Sequence, residues 1–162
     1  MKFLFLLSWL SWLALGAGPP SKIVESEIRF QIKNAGLTVD GNLSGLEASI
    51  QLDAAHPEQA RITASVPVSS MQTGISLRDK HLQKPDYFDA AKYPTITLQS
   101  KSIRSAGAGK YEGTFDLTMK GSTHEVKMPF ILSAAHELRG QLEVSRLDFG
   151  IGKKSFILSD KV

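Results

Sequence analysis

The sequence predicts an all-β domain whose strands close into a sandwich or a barrel. Three observations carry that prediction. From Asn34 to Asp160, apolar residues alternate with polar ones at period two through one segment after another. Short turn-forming clusters separate the segments: Asn34-Ala35-Gly36, Ala106-Gly107-Ala108-Gly109 and Lys120-Gly121-Ser122. The stretch Thr73 to Pro94 breaks the alternation with a polar, aromatic-tipped insert. Connections beyond about 12–15 residues are usually functional or carry structure of their own, so this insert reads as a lid over whatever the strands enclose.

The first stretch stands apart from the fold. Met1-Lys2 is followed by an almost wholly apolar run from Phe3 to Leu15, then by small residues at Ala14-Leu15-Gly16 and Gly16-Ala17-Gly18. That is the pattern of a secretory signal peptide, assigned to residues 1–17, with one domain over 18–162. A membrane anchor competes with this reading, but the run falls short of the roughly 20 apolar residues that span a bilayer. The chain has no cysteine. Disulfides, thiolate metal sites, cysteine nucleophiles and a lipid-modified N-terminal cysteine are excluded together, and the domain must rely on its hydrophobic core.

The strands follow in order. Ile28, Phe30 and Ile32 alternate with Glu27, Arg29, Gln31 and Lys33. After the Asn34-Ala35-Gly36 turn, Leu37, Val39 and Leu43 share a phase with Gly41 and Gly45. Leu46, Ala48, Ile50 and Leu52 have the opposite parity, which requires a turn or bulge between Leu43 and Leu46. Ile62, Ala64, Val66 and Val68 form the next strand, and Pro67 places an edge or bulge there. Beyond the insert, alternation restarts at Ile96 and Leu98. It continues through Tyr111, Phe115, Leu117 and Met119, then Val126, Met128, Phe130 and Leu132, then Leu138, Leu142 and Val144. Phe156, Leu158 and Val162 predict a last strand. Small residues recur on the apolar face at Gly41, Gly45, Ala48, Ala64, Gly113 and Gly140. They mark either strand bends that let a sheet close or room left for a ligand, and the set favours a barrel.

Candidate chemistry is sparse. None of the four histidines has a partner at ligand spacing, and His81 has the most carboxylates around it in the insert, at Asp79, Asp86 and Asp89. Metal sites need ligands that converge, so no metal is expected, and these acids read better as caps of a short helix. No nucleophile elbow or dinucleotide fingerprint occurs, so no catalytic residue is assigned. The net charge of +3 comes with no basic run longer than Lys153-Lys154. Nucleic-acid binding needs a clustered patch and is not expected, while a weak, transient contact with anionic membrane surfaces is permitted. Arg146 shares the apolar parity of Leu142 and Val144. It is either a cation meeting an anionic head group or a structural partner of Asp148 or Asp160. Arg78, in the insert, is a second candidate for a head-group contact.

Seven blocks, in order, resemble the YceI-like family. They are Ile28-x-Phe30-x-Ile32-Lys33-Asn34, Thr73-Gly74, Arg78-Asp79-x-His81-Leu82, Phe88-Asp89, Tyr93-Pro94, the run from Gly113 to Gly121, and Ser145-Arg146-x-Asp148-Phe149-Gly150-Ile151 with Ser159-Asp160-x-Val162. The resemblance implies an eight-stranded antiparallel lipocalin-like β-barrel with a short helical insert near one mouth. It also implies a periplasmic or secreted location, no catalysis, and no cofactor other than a bound polyisoprenoid or similar amphiphilic lipid. The lumen is then expected to be lined by Phe30, Ile32, Val39, Leu43, Val66, Leu117, Met119, Phe130 and Leu142, beneath a flap with Leu77, Leu82 and Phe88 turned inward. A non-catalytic interaction module with a filled core is the alternative, in a family whose members are described as stress-related. The family pattern continues past the position of Val162. A last strand from Ser155 spans at most about 27 Å, so closure against the first strand is expected to be incomplete.

Overall fold

The computed structural model describes residues 26–135 and 137–162. The predicted signal peptide and His136 lie outside the described residues. Eight strands form among the described residues: β1 (Ile28–Asn34), β2 (Leu37–Leu43), β3 (Glu47–Gln51), β4 (Arg61–Pro67), β5 (Thr95–Gly107), β6 (Lys110–Met119), β7 (Ser122–Leu132) and β8 (Leu138–Gly140). Helix α1 (Ser76–Leu82) lies in the insert. Strands β3 to β8 make one antiparallel sheet in sequence order, and β1 and β2 make a separate hairpin. The sheet curls into a half-barrel, which fits a lipocalin-like fold although the barrel is not closed by a continuous ladder.

Local chemistry explains the hairpins. Ala35 and Gly36 have φ of 51° and 80°, and Lys120 and Gly121 have 48° and 75°. Two successive positive φ values make the two-residue turn whose twist matches that of the flanking strands. Pro67 closes β4 opposite Thr95, beyond Ser65, the last residue paired with β3. Its missing N–H therefore costs no ladder bond on that side. The parity change between Leu43 and Leu46 is a turn, with Gly45 at φ 74°.

Register fixes which side chains share the concave face. Ile62 pairs with Ile50, Ala64 with Ala48 and Leu98, and Leu98 with Leu117. A register shift between Ser100 and Ser102 returns Ile103 to that face opposite Gly113. Three apolar clusters fill it unevenly. Phe115, Phe130, Tyr111, Ile62, Ile103 and Ala60 pack one end. Leu117, Met119, Phe149 and Ile151 form a second cluster, and Leu43, Val66 and Met71 a third. Phe88 and Ile96 touch both of the latter.

Two expectations about the closing strands need correction. The strand through Leu142 and Val144 is regular only at Leu138–Gly140, where it pairs with Phe130–Leu132. Beyond this the chain leaves β7, and a cleft of ≈ 300 Å³ opens between His124–Lys127 and Glu143–Asp148. The last predicted strand is a run of bridges, Asn34 with Leu158 and Ser145 with Lys161. It nonetheless reaches β1: Ala35 N–H donates to the Ile157 carbonyl at 2.6 Å, and Ser159 N–H to Lys33 at 2.8 Å. Closure against the first strand is thus confined to its end at Lys33–Ala35, and a second opening lies along β7. Phe156 points fully into solvent, because the chain there turns between Gly152 and the bridges and has no second strand to pair with.

Candidate functional site: a groove across the sheet

A groove of ≈ 510 Å³ runs across β3, β4 and β5. Its lining comprises three cross-strand rows: Ala48, Ala64 and Leu98 form the apolar middle one, and Glu47–Ser65–Thr97 and Ser49–Thr63–Gln99 form polar rows on either side. The methyl side chains of Ala48 and Ala64 leave room that Val or Leu would fill. The glycines of the same set do something else. The Phe30 ring covers its cross-strand partner Gly41, and the Phe115 ring covers Gly113, so that a Cβ at either position would overlap a ring. Met128 and Phe130 close on Gly140. The small-residue pattern therefore splits, with glycine under aromatic rings and alanine at the groove.

The predicted lumen residues divide in the same way. Leu43, Val66, Leu117 and Met119 are buried in the two clusters under the insert, with Phe30 and Leu142 packed against them. Ile32 and Val39 face each other across the β1–β2 hairpin, half-buried and outside all three clusters. Phe130 is committed elsewhere. Its ring stacks on Tyr111 at 5.3 Å and meets Phe115 edge-on at 6.3 Å, so it plugs the far end of the concave face. The predicted lumen set omits Phe149, Ile151, Met71 and Val68, all buried. Phe149 and Ile151 have the alternation of an inward strand, a signal hidden by the intervening glycine of their block.

The insert packs on the two apolar clusters next to the groove and contributes no residue to its lining. The helix turns by about 100° per residue, so Leu82 and Arg78 share a face while Leu77 lies about 140° from Leu82. Leu82 and Phe88 pack onto the Leu43–Val66–Met71 cluster. Leu77 is 80% exposed, which corrects the inward assignment. Phe88 is aimed by its N–H, which donates to the Leu82 carbonyl at 3.0 Å. Tyr87 abuts His81, ring centroids 5.0 Å apart, and packs on the Phe149–Ile151 cluster. The far end of the insert is tied down where Gly152 N–H donates to the Asp86 carbonyl at 2.8 Å.

The two arginines differ sharply. Arg78 spends two of its five N–H groups on Thr73, from Nε to Oγ1 at 2.7 Å and from Nη2 to the carbonyl at 2.6 Å. Asp79 accepts from the Thr73 N–H at 2.9 Å and from its hydroxyl, which fixes the start of the helix. The remaining Arg78 donors have no partner among the described residues. Arg146, 3% exposed, is instead used up by its own chain. Nε donates to the Ser159 carbonyl at 2.8 Å, Nη1 to Ile151 at 2.8 Å, and Nη2 to Lys153 at 2.9 Å and Asp160 Oδ1 at 3.2 Å. This is the structural pairing with Asp160, and a head group would have to displace it. Charge otherwise sits on the exposed side. There Glu125, and then the charge of Asp116, hold Lys101 protonated above its ordinary range. Among the described residues no three His, Asp or Glu side chains converge on a metal-sized site.

Comparison with known proteins gives this geometry its context. Residues 22–162 match the model of the YceI-like domain. A UPF0312 protein of Ectopseudomonas mendocina is 31% identical over 100 residues, which cover 61% of this chain and 52% of that protein. The chain spans about half the length of the curated relatives it matches. The crystal structure of Burkholderia cenocepacia BcnA superposes with a TM-score of 0.78 at 25% identity, covering 83% of this chain and 89% of that one. A polyisoprenoid binding domain from Saccharophagus degradans, implicated in plant cell wall breakdown, shares the fold. Its TM-score is 0.57 at 13% identity, covering 82% and 80% of the two chains.

Proposed function

Because this chain belongs to the YceI-like family, we propose that it is an exported binding protein that holds a polyisoprenoid or similar amphiphilic lipid against its concave face, without a catalytic step. The observation that carries this reading is the groove across β3, β4 and β5, where the Ala48–Ala64–Leu98 row runs between two polar rows and Leu98 also packs on the apolar clusters. Its volume of ≈ 510 Å³ falls within the range of about 300–1,000 Å³ typical of ligand clefts. The relative from Saccharophagus degradans supplies the ligand class. Burial of one five-carbon isoprene unit is worth on the order of 3–4 kcal/mol. Association costs about 4–15 kcal/mol in lost freedom, so a single unit does not suffice and the ligand must be a chain of several. Arg78, with donors to spare on the Leu82 face of the insert, is assigned the head group; Leu82 and Phe88 cover the chain.

The test is titration with a dansyl-labelled polyprenyl phosphate. The reading predicts saturable binding in the micromolar range or tighter. Ala64→Phe, which fills the groove, should weaken it at least tenfold while the melting temperature stays the same or rises. If the wild-type chain takes up no probe, the reading fails; if Ala64→Phe binds as well as wild type, the groove is not the site. The other reading, an interaction module with a filled core, draws its support from the Tyr111–Phe115–Phe130 plug, which already packs one end.

A further inference from the structure

We propose that the tip of the β1–β2 hairpin, together with the Lys153–Ile157 segment, docks on an anionic lipid bilayer. The two stretches are joined by the Ala35 N–H to Ile157 carbonyl bond at 2.6 Å and by the Asn34–Leu158 bridge. Three large apolar side chains project from this tip: Leu37 at 73% exposure, Ile157 at 63%, and Phe156 with nothing over it. Single exposed apolar residues are ordinary, but a cluster on one protrusion is not.

The charges select the occupant. Residues 33–38 and 153–157 contain Lys33, Lys153 and Lys154 and no carboxylate. None of these lysines pairs with an acid among the described residues. An aromatic and aliphatic tip ringed by lysines is the composition of an interfacial membrane anchor. Protein interfaces, by contrast, are depleted in lysine, which argues against a second copy of the chain. The same segment begins beside Gly152, which is bonded to the insert at Asp86. Docking would therefore bring the insert close to the bilayer. The inference stands on the tip alone and does not require a lipid in the groove.

The absence of cysteine allows a position-specific test on the full chain. An environment-sensitive NBD label is placed at Leu37→Cys, or as a control at Ala108→Cys in the exposed β5–β6 turn. Vesicles of phosphatidylcholine, with or without 30% phosphatidylglycerol, are then added. Attachment through the N-terminal apolar stretch would act on both labels alike. A blue shift at position 37 only, with anionic vesicles only, and reversed by 0.5 M salt, is the expected result. In the same background Lys153→Gln and Lys154→Gln should each raise the half-saturating lipid concentration about fivefold, and Phe156→Ser about tenfold or more. An unchanged emission at position 37, or equal shifts at both positions that ignore Phe156→Ser, overturns the proposal. A shift that grows with protein concentration in the absence of vesicles also overturns it, since a second copy would then cover the tip.

Discussion

Truncating Arg146 should unlock the C-terminal segment from residue 146 onward. Its guanidinium holds four acceptors on three backbone stretches at once: Ile151, Lys153, and the Ser159–Asp160 pair. Its own N–H donates to the Asp160 carbonyl at 2.8 Å, so the side chain and backbone act at one crossing point. A hydrogen bond to a charged group contributes about 1.5–3 kcal/mol. The simple sum of four overstates the loss, because water reaches the partly exposed Asp160 and two of the bonds share Nη2. Removing one partner from a buried ionic contact costs about 3–5 kcal/mol, and that is the expected destabilisation for Arg146→Ala in urea unfolding. Arg146→Lys keeps the charge but loses the planar fork, and should recover less than half. The competing view makes Arg146 a head-group contact. It would be favoured by a variant that unfolds within 0.5 kcal/mol of wild type yet loses binding of the polyprenyl probe, a result that would refute the clasp.

The insert offers a matched pair of substitutions. Phe88→Ala, which empties a ring from between two clusters, should cost about 3 kcal/mol. Leu77→Ser on the outward face should stay within about 0.5 kcal/mol; thermal melts distinguish them, and equal losses would put Leu77 back inside. Gly113→Ala drives a methyl group into the fully buried Phe115 ring and should destabilise by about 1–3 kcal/mol, read by chemical denaturation. Exposed Lys101 and Glu125 make a weaker contact. Glu125 is held below the ordinary carboxylate range by its hydrogen bond from Lys101. That contribution is present at neutral pH and lost as pH falls through the depressed Glu125 value. Lys101→Met should therefore flatten the acid limb of the stability profile slightly, because exposed ion pairs contribute little; pH-dependent urea unfolding reads the difference.

Periodicity carried most of the strands, because a side-chain period of two is fixed by the pleat and one face here is apolar. Tyr111, Phe115, Leu117 and Met119 alternate in the sequence and all four are buried. Alternation failed where the partner strand was missing. Leu142 and Val144 keep the inward phase but have left β7. Phe156 continues a pattern that no neighbouring strand receives. The groove was half legible. Ala48 and Ala64 stood out as small residues on an apolar face, but so did Gly41 and Gly113, and only coordinates reveal that rings from Phe30 and Phe115 fill the latter pair. Arg146 was ambiguous for a related reason. Inward parity identifies a buried cation, whereas its partners are mainly carbonyls of residues 151, 153 and 159, which side-chain identity does not encode. Leu77 was misassigned because hydrophobicity alone put it inward, whereas the helix period turns it away from Leu82.

The central claim is that the concave face is a lipid site. It is tested most directly by expressing the chain with its N-terminal segment, recovering the exported protein, extracting it with organic solvent and analysing the extract by mass spectrometry. The account predicts a prenyl-type or similar long-chain amphiphile in near-stoichiometric amount, lost from the Ala64→Phe variant. A lipid-free extract from protein that also takes up no added polyprenyl compound would contradict it.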